Sequence, residues 1–274
     1  MSKIAFVFPG QGSQFVGMGK DIYEDSKDLM ESANKALGFS LTDIMFNGPV
    51  DSLRQTNITQ PAIFLHSVAI LKKINSIKPD MVGGHSLGEY SALVAAGAID
   101  LMDALKLVST RGQAMLQAGI EQPGTMAAVI GLKPSNVEEI CAEASTAGIV
   151  QCANFNSLGQ IVISGSVEGV RAAMILAKDN GAKLVKELVV SGAFHSPLMA
   201  SAKNKLQNKL NETEIKDASI PVYANVTAKP VQNSNEIKSL LFEQLSSPVR
   251  WEESITNMIA DGATEFVEIG PGTV

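Results

Sequence analysis

Five residues constrain this chain more than any others: Gly84-His85-Ser86-Leu87-Gly88. They follow a short apolar run, Met81-Val82, and precede a stretch of helical character over 89–98. Strand, sharp turn and helix, in that order, make a nucleophile elbow. Its serine is held in a strained conformation, on a turn too tight for side chains at the outer positions. The Ser86 hydroxyl then projects above a sheet edge, and the Leu87 amide lies at a helix N-terminus, aimed at an oxyanion. A glycine-rich turn with an ordinary capping serine has the same local pattern, so the pentapeptide alone leaves both readings open.

The chain around it is of a size for one large domain or one and a half. At 274 residues it buries a core without staples, and 45% hydrophobic against 18% charged residues describes a compact globule. A net charge of −6 argues against nucleic acid as a partner, because neutralising phosphates needs a basic face. Cys141 and Cys152 stand outside any C-x-x-C pair and away from clustered histidines. They point to a reducing compartment and to no metal site. No apolar run reaches membrane-spanning length, and residues 3–8 read as a strand rather than a signal peptide. The expectation is a cytoplasmic protein without membrane contact, working as a monomer.

After the first strand, Pro9-Gly10-Gln11-Gly12-Ser13-Gln14 forms a loop able to present backbone N–H groups to an anion. Helical patterns follow at 21–37, 40–46, 50–53, 61–74 and 101–118, the fourth with Pro61 at its first helical position. From about Pro123 the texture changes. Strands at 126–130, 150–155, 160–164 and 183–190 alternate with helices at 135–147 and 167–180 in the β-α-β-β-α-β order of a ferredoxin-like unit. Helices at 197–210, 236–245 and 251–261 and strands at 221–225 and 265–269 complete the chain. The fold class is α/β, with a large domain over 1–123 and 192–274 and a small subdomain, 124–191, inserted in it.

A serine hydroxyl needs a base. Of the three histidines, His66 lies mid-helix among apolar residues and reads as a satisfied core histidine. His85 neighbours Ser86 on a tight turn, where adjacent side chains diverge; it is placed to line a pocket rather than to be the base. His195 sits in Ser191-Gly192-Ala193-Phe194-His195-Ser196-Pro197, where the chain re-enters the large domain. It is the expected base. Intervening acids such as Asp100, Asp103 and Glu121 stand at helix starts or in turns, not at strand ends, which leaves a backbone carbonyl as a possible acceptor on its other nitrogen. Arg111 lies among small polar residues. A guanidinium there could grip a carboxylate, although a surface or capping arginine is the plainer reading of those residues alone.

Taken together, the pieces resemble the malonyl-CoA:acyl carrier protein transacylase family, which also supplies acyltransferase domains to fatty acid and polyketide synthases. The matching segments are Phe8-Pro9-Gly10-Gln11-Gly12-Ser13-Gln14, Thr59-Gln60-Pro61-Ala62, Gly84-His85-Ser86-Leu87-Gly88-Glu89, Arg111-Gly112, Asn154-Phe155-Asn156-Ser157, Phe194-His195-Ser196, Pro248-Val249-Arg250-Trp251 and Glu268-Ile269-Gly270-Pro271-Gly272. They occur in the family's order over nearly the whole chain. The resemblance implies an α/β-hydrolase-like large domain with a ferredoxin-like insert. It implies that Ser86 is acylated with His195 as its base, and that the N–H groups of Gln11 and Leu87 form the oxyanion hole. Arg111 would bind the malonyl carboxylate, the backbone carbonyl of Gln244 would orient His195, and Gln60 and Asn154 would line the pocket. Phe194 would either narrow the pocket at the malonyl C2 or only pack in the cleft.

The implied reaction is a ping-pong transfer from malonyl-CoA to the phosphopantetheine thiol of acyl carrier protein, with no resident cofactor. Lys183 and Lys186 are candidates for the basic patch such a carrier needs. A serine thioesterase or esterase, and a non-catalytic module that docks carrier protein, are the alternatives. The chain stops at Gly272-Thr273-Val274, where family members continue; the expectation is exposed apolar surface there and an intact site.

Overall fold

Two sheets of five strands frame the chain. The computed structural model describes residues 2–74 and 76–272; Thr273 and Val274 of the expected short end lie outside the described residues. The strands are β1 (Lys3–Phe8), β2 (Met81–Gly84), β3 (Thr125–Ile130), β4 (Val150–Ser157), β5 (Gln160–Gly165), β6 (Leu184–Glu187), β7 (Val222–Tyr223), β8 (Pro230–Val231), β9 (Val249–Arg250) and β10 (Ala263–Glu268). The first sheet runs β10-β1-β2-β7-β8, parallel except for β8 at its edge. The second runs β6-β3-β5-β4-β9, antiparallel as far as β4, with β9 parallel to β4. The expected α/β class is the one formed.

The short apolar strands β1 and β2 lie in the middle of the first sheet, and parallel strands covered on both faces need no polar alternation. Their register sets Phe8 opposite Gly84. The loop after β1 and the turn after β2 therefore leave the sheet side by side at its C-terminal edge, where open α/β sheets gather their ligands.

The helix Thr56–Lys73 is apolar nearly all round and is buried nearly all round. It packs against Leu101–Glu121, whose start is capped by Asp100 accepting from the Met102 amide at 2.9 Å. The two approach closely because residue 112 is glycine: a Cβ there would press on the Thr56 carbonyl. That contact puts Arg111 beside Gln60. Around β3–β6, the helices Pro134–Ala144 and Val167–Asp179 share an apolar cluster of their own with the sheet.

Two local expectations change, and two short strands were not foreseen. Pro61 is not at the start of its helix but inside it; the turn begins earlier, where the amides of Ile58 and Thr59 already bond to Gln55 O. β6 ends at Glu187, short of Val190, and the chain runs on as loop to His195, which takes a positive φ of 56°. The two-residue strands β8 and β9 carry no pattern long enough to read in advance. β9 matters, because it brings residues after Gln244 into the second sheet opposite Asn154.

The elbow tolerates no side chain at its outer positions. A Cβ on Gly84 would overlap the backbone of Gly88 and Glu89, and one on Gly88 would overlap the Phe8 carbonyl. Gly84→Ala is therefore expected to destabilise the chain by about 3 kcal/mol or more, read as a lowered urea midpoint. A midpoint equal to that of the parent chain would contradict the close approach.

Candidate active site

β2 delivers its last residue, Gly84, to a turn from which the helix Gly88–Ala95 departs. Ser86 sits on that turn at φ 51°, a left-handed conformation that a serine holds only under constraint. Asn225, just after β7, supplies the constraint. Its Oδ1 accepts from the Ser86 amide at 2.6 Å and its Nδ2 donates to Gly84 O at 2.7 Å. The Ser86 amide is thus occupied, and an oxyanion must look to other donors. Gln11 and Leu87 line the cavity beside Ser86.

His195 comes to Ser86 from the loop after β6. Its Nε2 lies 2.8 Å from Ser86 Oγ. Its Nδ1 lies 2.9 Å from Gln244 O and 3.2 Å from Ser247 O. Two carbonyls can only accept, so Nδ1 carries the proton and Nε2 is free to take one from Ser86. Gln151 Nε2 donates to His195 O at 2.8 Å, fixing the strained loop from β4. Among the described residues, no carboxylate touches the imidazole. Burial first, then the Arg111 charge, pull the His195 pKa down to about 3, so the resting ring is neutral.

Arg111 is fully buried. Its Nη2 donates to Ser86 Oγ at 3.0 Å and to Gln244 Oε1 at 2.9 Å, and its Nη1 donates to Gln60 Oε1 at 2.7 Å. The Tyr90 ring lies 5.5 Å from the guanidinium carbon. Among the described residues, no ion pair includes this guanidinium. Its direct hydrogen-bond partners are all neutral oxygens, so no paired carboxylate meets the cost of burying its charge.

Ser86, His195, Arg111, Gln60 and Gln244 thus form one hydrogen-bonded group. Gln11, Leu87, Asn154 and Phe194 stand around the same cavity of about 200 Å³, with Met115, Met126, Val162, Leu188 and Val190 as its apolar lining. His85 also faces it, held by Asn156 Oδ1 at 2.9 Å and edge-on to Trp251. His66 is buried as expected, but its Nδ1 has no hydrogen-bond partner among the described residues.

Four contributors escaped the sequence reading. They are Asn225, Gln151, the side chain of Gln244 and Glu89. All are polar residues at ordinary-looking positions, and only Glu89 stood inside a motif. Glu89 is buried at 3% exposure, with its pKa pushed up to about 7 by burial. Among the described residues, no group of three or more His, Cys, Asp or Glu is placed to hold a metal ion.

The chain resembles known proteins over nearly its whole length. The model of a family described as acyl transferase domain matches residues 5–274. The chain is 49% identical to a malonyl CoA-acyl carrier protein transacylase of Bacillus subtilis, over all of this chain and 88% of that protein. It is 43% identical to the Haemophilus influenzae protein of the same name, over all of this chain and 90% of the other. Among solved structures, an acyl carrier protein S-malonyltransferase from Vibrio cholerae superimposes with a TM-score of 0.94 at 44% identity, covering 99% of this chain and 90% of that one. A malonyl-transacylase solved in complex with a type II PKS acyl-carrier protein superimposes at 0.95 with 40% identity, again over 99% and 90%.

Two of the shifted groups, His195 and Glu89, oppose each other in pH. His195 ordinarily binds its proton at 6.5 but when folded only near 3, so its contribution to stability is lost as pH falls below 6.5. Glu89 ordinarily releases its proton near 4.5 but when folded only near 7, so its contribution is lost as pH rises between those values. Between 4.5 and 6.5 the two proton counts cancel. Glu89→Gln removes one side of the balance. On lowering the pH through that window, the variant is expected to lose about 1.4 kcal/mol per unit relative to the parent chain. Urea unfolding of both at several pH values checks this; parallel pH slopes would contradict it.

Proposed function

The chain belongs to the acyl transferase domain family, and we propose that it transfers the malonyl group of malonyl-CoA, through an ester on Ser86, to the phosphopantetheine thiol of an acyl carrier protein in fatty acid biosynthesis. The relatives named above carry that activity in their names, and one of them was solved with its carrier protein. The observation that carries the reading is the buried Arg111, in no ion pair among the described residues, 3.0 Å from the Ser86 hydroxyl. A site for simple acyl groups has no use for a fixed cation there; a site for an acyl group ending in a carboxylate does.

The steps follow from the hydrogen bonds. Malonyl-CoA enters with its carboxylate against Arg111, which Gln60 holds from the far side. His195 Nε2 takes the Ser86 proton as Oγ attacks the thioester carbon, and the N–H groups of Gln11 and Leu87 receive the negative oxygen. When the tetrahedral intermediate collapses, the C–S bond breaks, and the imidazolium returns its proton to the leaving CoA sulfur. The carrier thiol then loses its proton to the neutral His195 and attacks the ester carbon. The C–Oγ bond breaks and Ser86 recovers the proton.

Arg111 has a second effect. Its charge is one of the causes that weaken His195 as a base. A carboxylate paired with Arg111 offsets that charge, so the substrate that fits the site also strengthens the base. Asn154 and Phe194 border the acyl group, Phe194 narrowing the space at the malonyl C2.

The site is complete within one chain, so the reaction as written needs no second copy. The buried free thiols of Cys141 and Cys152 support a cytoplasmic setting. Residues 124–191 are taken as an inserted ferredoxin-like unit, supported by the strand order β6-β3-β5-β4 and its separate apolar cluster; residues 1–123 and 192–274 are taken as the α/β-hydrolase-like domain.

Intact mass spectrometry after mixing with malonyl-CoA tests the activity. A malonyl adduct is expected on the parent chain and none on Ser86→Ala; an adduct on both would remove Ser86 from the reaction. Arg111→Ala is expected to lose malonyl transfer by about 100-fold or more while gaining on acetyl-CoA in relative terms, because it removes both the carboxylate's partner and the charge that weakens the base. An unchanged malonyl-to-acetyl ratio would contradict the role of Arg111.

A further inference from the structure

Glu89 closes the elbow motif, one residue into the helix that Ser86 introduces, and points inward. Both hydrogen bonds on its Oε2 go to residues that hold the site. The Asn225 amide donates at 3.0 Å and Gln244 Nε2 at 2.9 Å. The carboxylate itself touches neither Ser86 nor His195 and does not line the cavity.

A side-chain amide can sit either way round, and its partners decide which. Gln244 Nε2 gives its two hydrogens to Ser86 O, at 2.9 Å, and to Glu89 Oε2. That leaves Oε1 aimed at Arg111 Nη2. We propose that Glu89 is a positioning residue that fixes the polarity of the Gln244 amide and, through it, the aim of Arg111 at Ser86. This rests on the acyl-transfer reading above and adds to it a residue that sets acyl preference without touching the acyl group.

Glu89 reaches the site by two arms that differ in consequence. The arm through Asn225 ends on the backbone around Ser86, so loosening it slows every acyl group alike. The arm through Gln244 ends on Arg111, so loosening it penalises only acyl groups that use the cation. Without an acceptor at position 89, one Gln244 N–H is buried unpaired, and the amide turns to find a partner, taking Oε1 off Arg111. The malonyl-to-acetyl ratio isolates this second arm.

The test compares the whole chain with Glu89→Gln, Glu89→Ala, Gln244→Met and the double variant Glu89→Ala/Gln244→Met. The readouts are kcat/KM for transfer of malonyl and of acetyl from CoA to a holo carrier protein. Glu89→Ala is expected to lower the malonyl-to-acetyl ratio by on the order of 10- to 100-fold. Glu89→Gln, whose amide oxygen can accept both bonds, is expected to stay within about threefold of the parent ratio. Gln244→Met keeps the carbonyl that orients His195 but removes the relay. In that background, adding Glu89→Ala is expected to change the ratio by less than about twofold.

A parent-like ratio in Glu89→Ala would overturn the proposal, as would losses of ratio that multiply in the double variant. Should Glu89→Ala fail to fold, Glu89→Asp replaces it. The shorter side chain withdraws the acceptor but keeps the charge, and the same fall in ratio is expected; a parent-like ratio overturns the proposal equally. The malonyl adduct on the parent chain is read separately, so loss of the acyl-transfer reading and loss of the role of Glu89 give different results.

Discussion

One oxygen is shared between a base and a cation. Ser86 Oγ lies between His195 Nε2 at 2.8 Å and Arg111 Nη2 at 3.0 Å, in a site where all three side chains are buried. Burial is what makes the arrangement effective. It keeps His195 neutral, works against the charge on Arg111 more than the nearby Glu89 supports it, and strengthens the hydrogen bonds inside. Most of the fold bears on holding these groups at those distances. The register of β1 with β2 places the Gln11 loop beside the elbow. The glycine contact between two long helices brings Arg111 to Gln60, and β9 draws the carbonyls at 244 and 247 to His195.

The site draws on both sheets. Ser86, Gln11 and Asn225 leave the ends of strands in the first. Asn154 and Gln151 lie on β4 of the second, and the loop carrying His195 follows β6. A fixed separation between the sheets is therefore a condition of the chemistry. Gln151 serves it directly, spanning from β4 to the carbonyls of His195 and Ser246.

Much of this was legible in the sequence, for physical reasons. The elbow is readable because its geometry demands glycine at 84 and 88, a demand imposed by backbone contacts. The histidine that lies beside Ser86 could be chosen among three because a loop at a chain re-entry suits a catalytic group and a mid-helix apolar run does not. Arg111 was not readable from its surroundings alone. Nothing local distinguishes a buried guanidinium from a surface one, and only the joint pattern of motifs pointed inward. Asn225, Gln151 and the Gln244 amide left no trace. Their roles come from contacts between residues far apart in the chain. The strands at 230–231 and 249–250 are too short to carry a period, and the helix ahead of Pro61 begins a turn earlier because its first amides find Gln55 O.

The central claim is that Arg111 waits for the far carboxylate of an acyl group carried on Ser86. A crystal structure of the chain trapped as its Ser86 malonyl ester tests it most directly. The account predicts the free carboxylate within about 3 Å of the Arg111 nitrogens and the ester carbonyl facing the amides of Gln11 and Leu87. A carboxylate turned to solvent, with Arg111 still bonded only to Gln60 and Gln244, would contradict it.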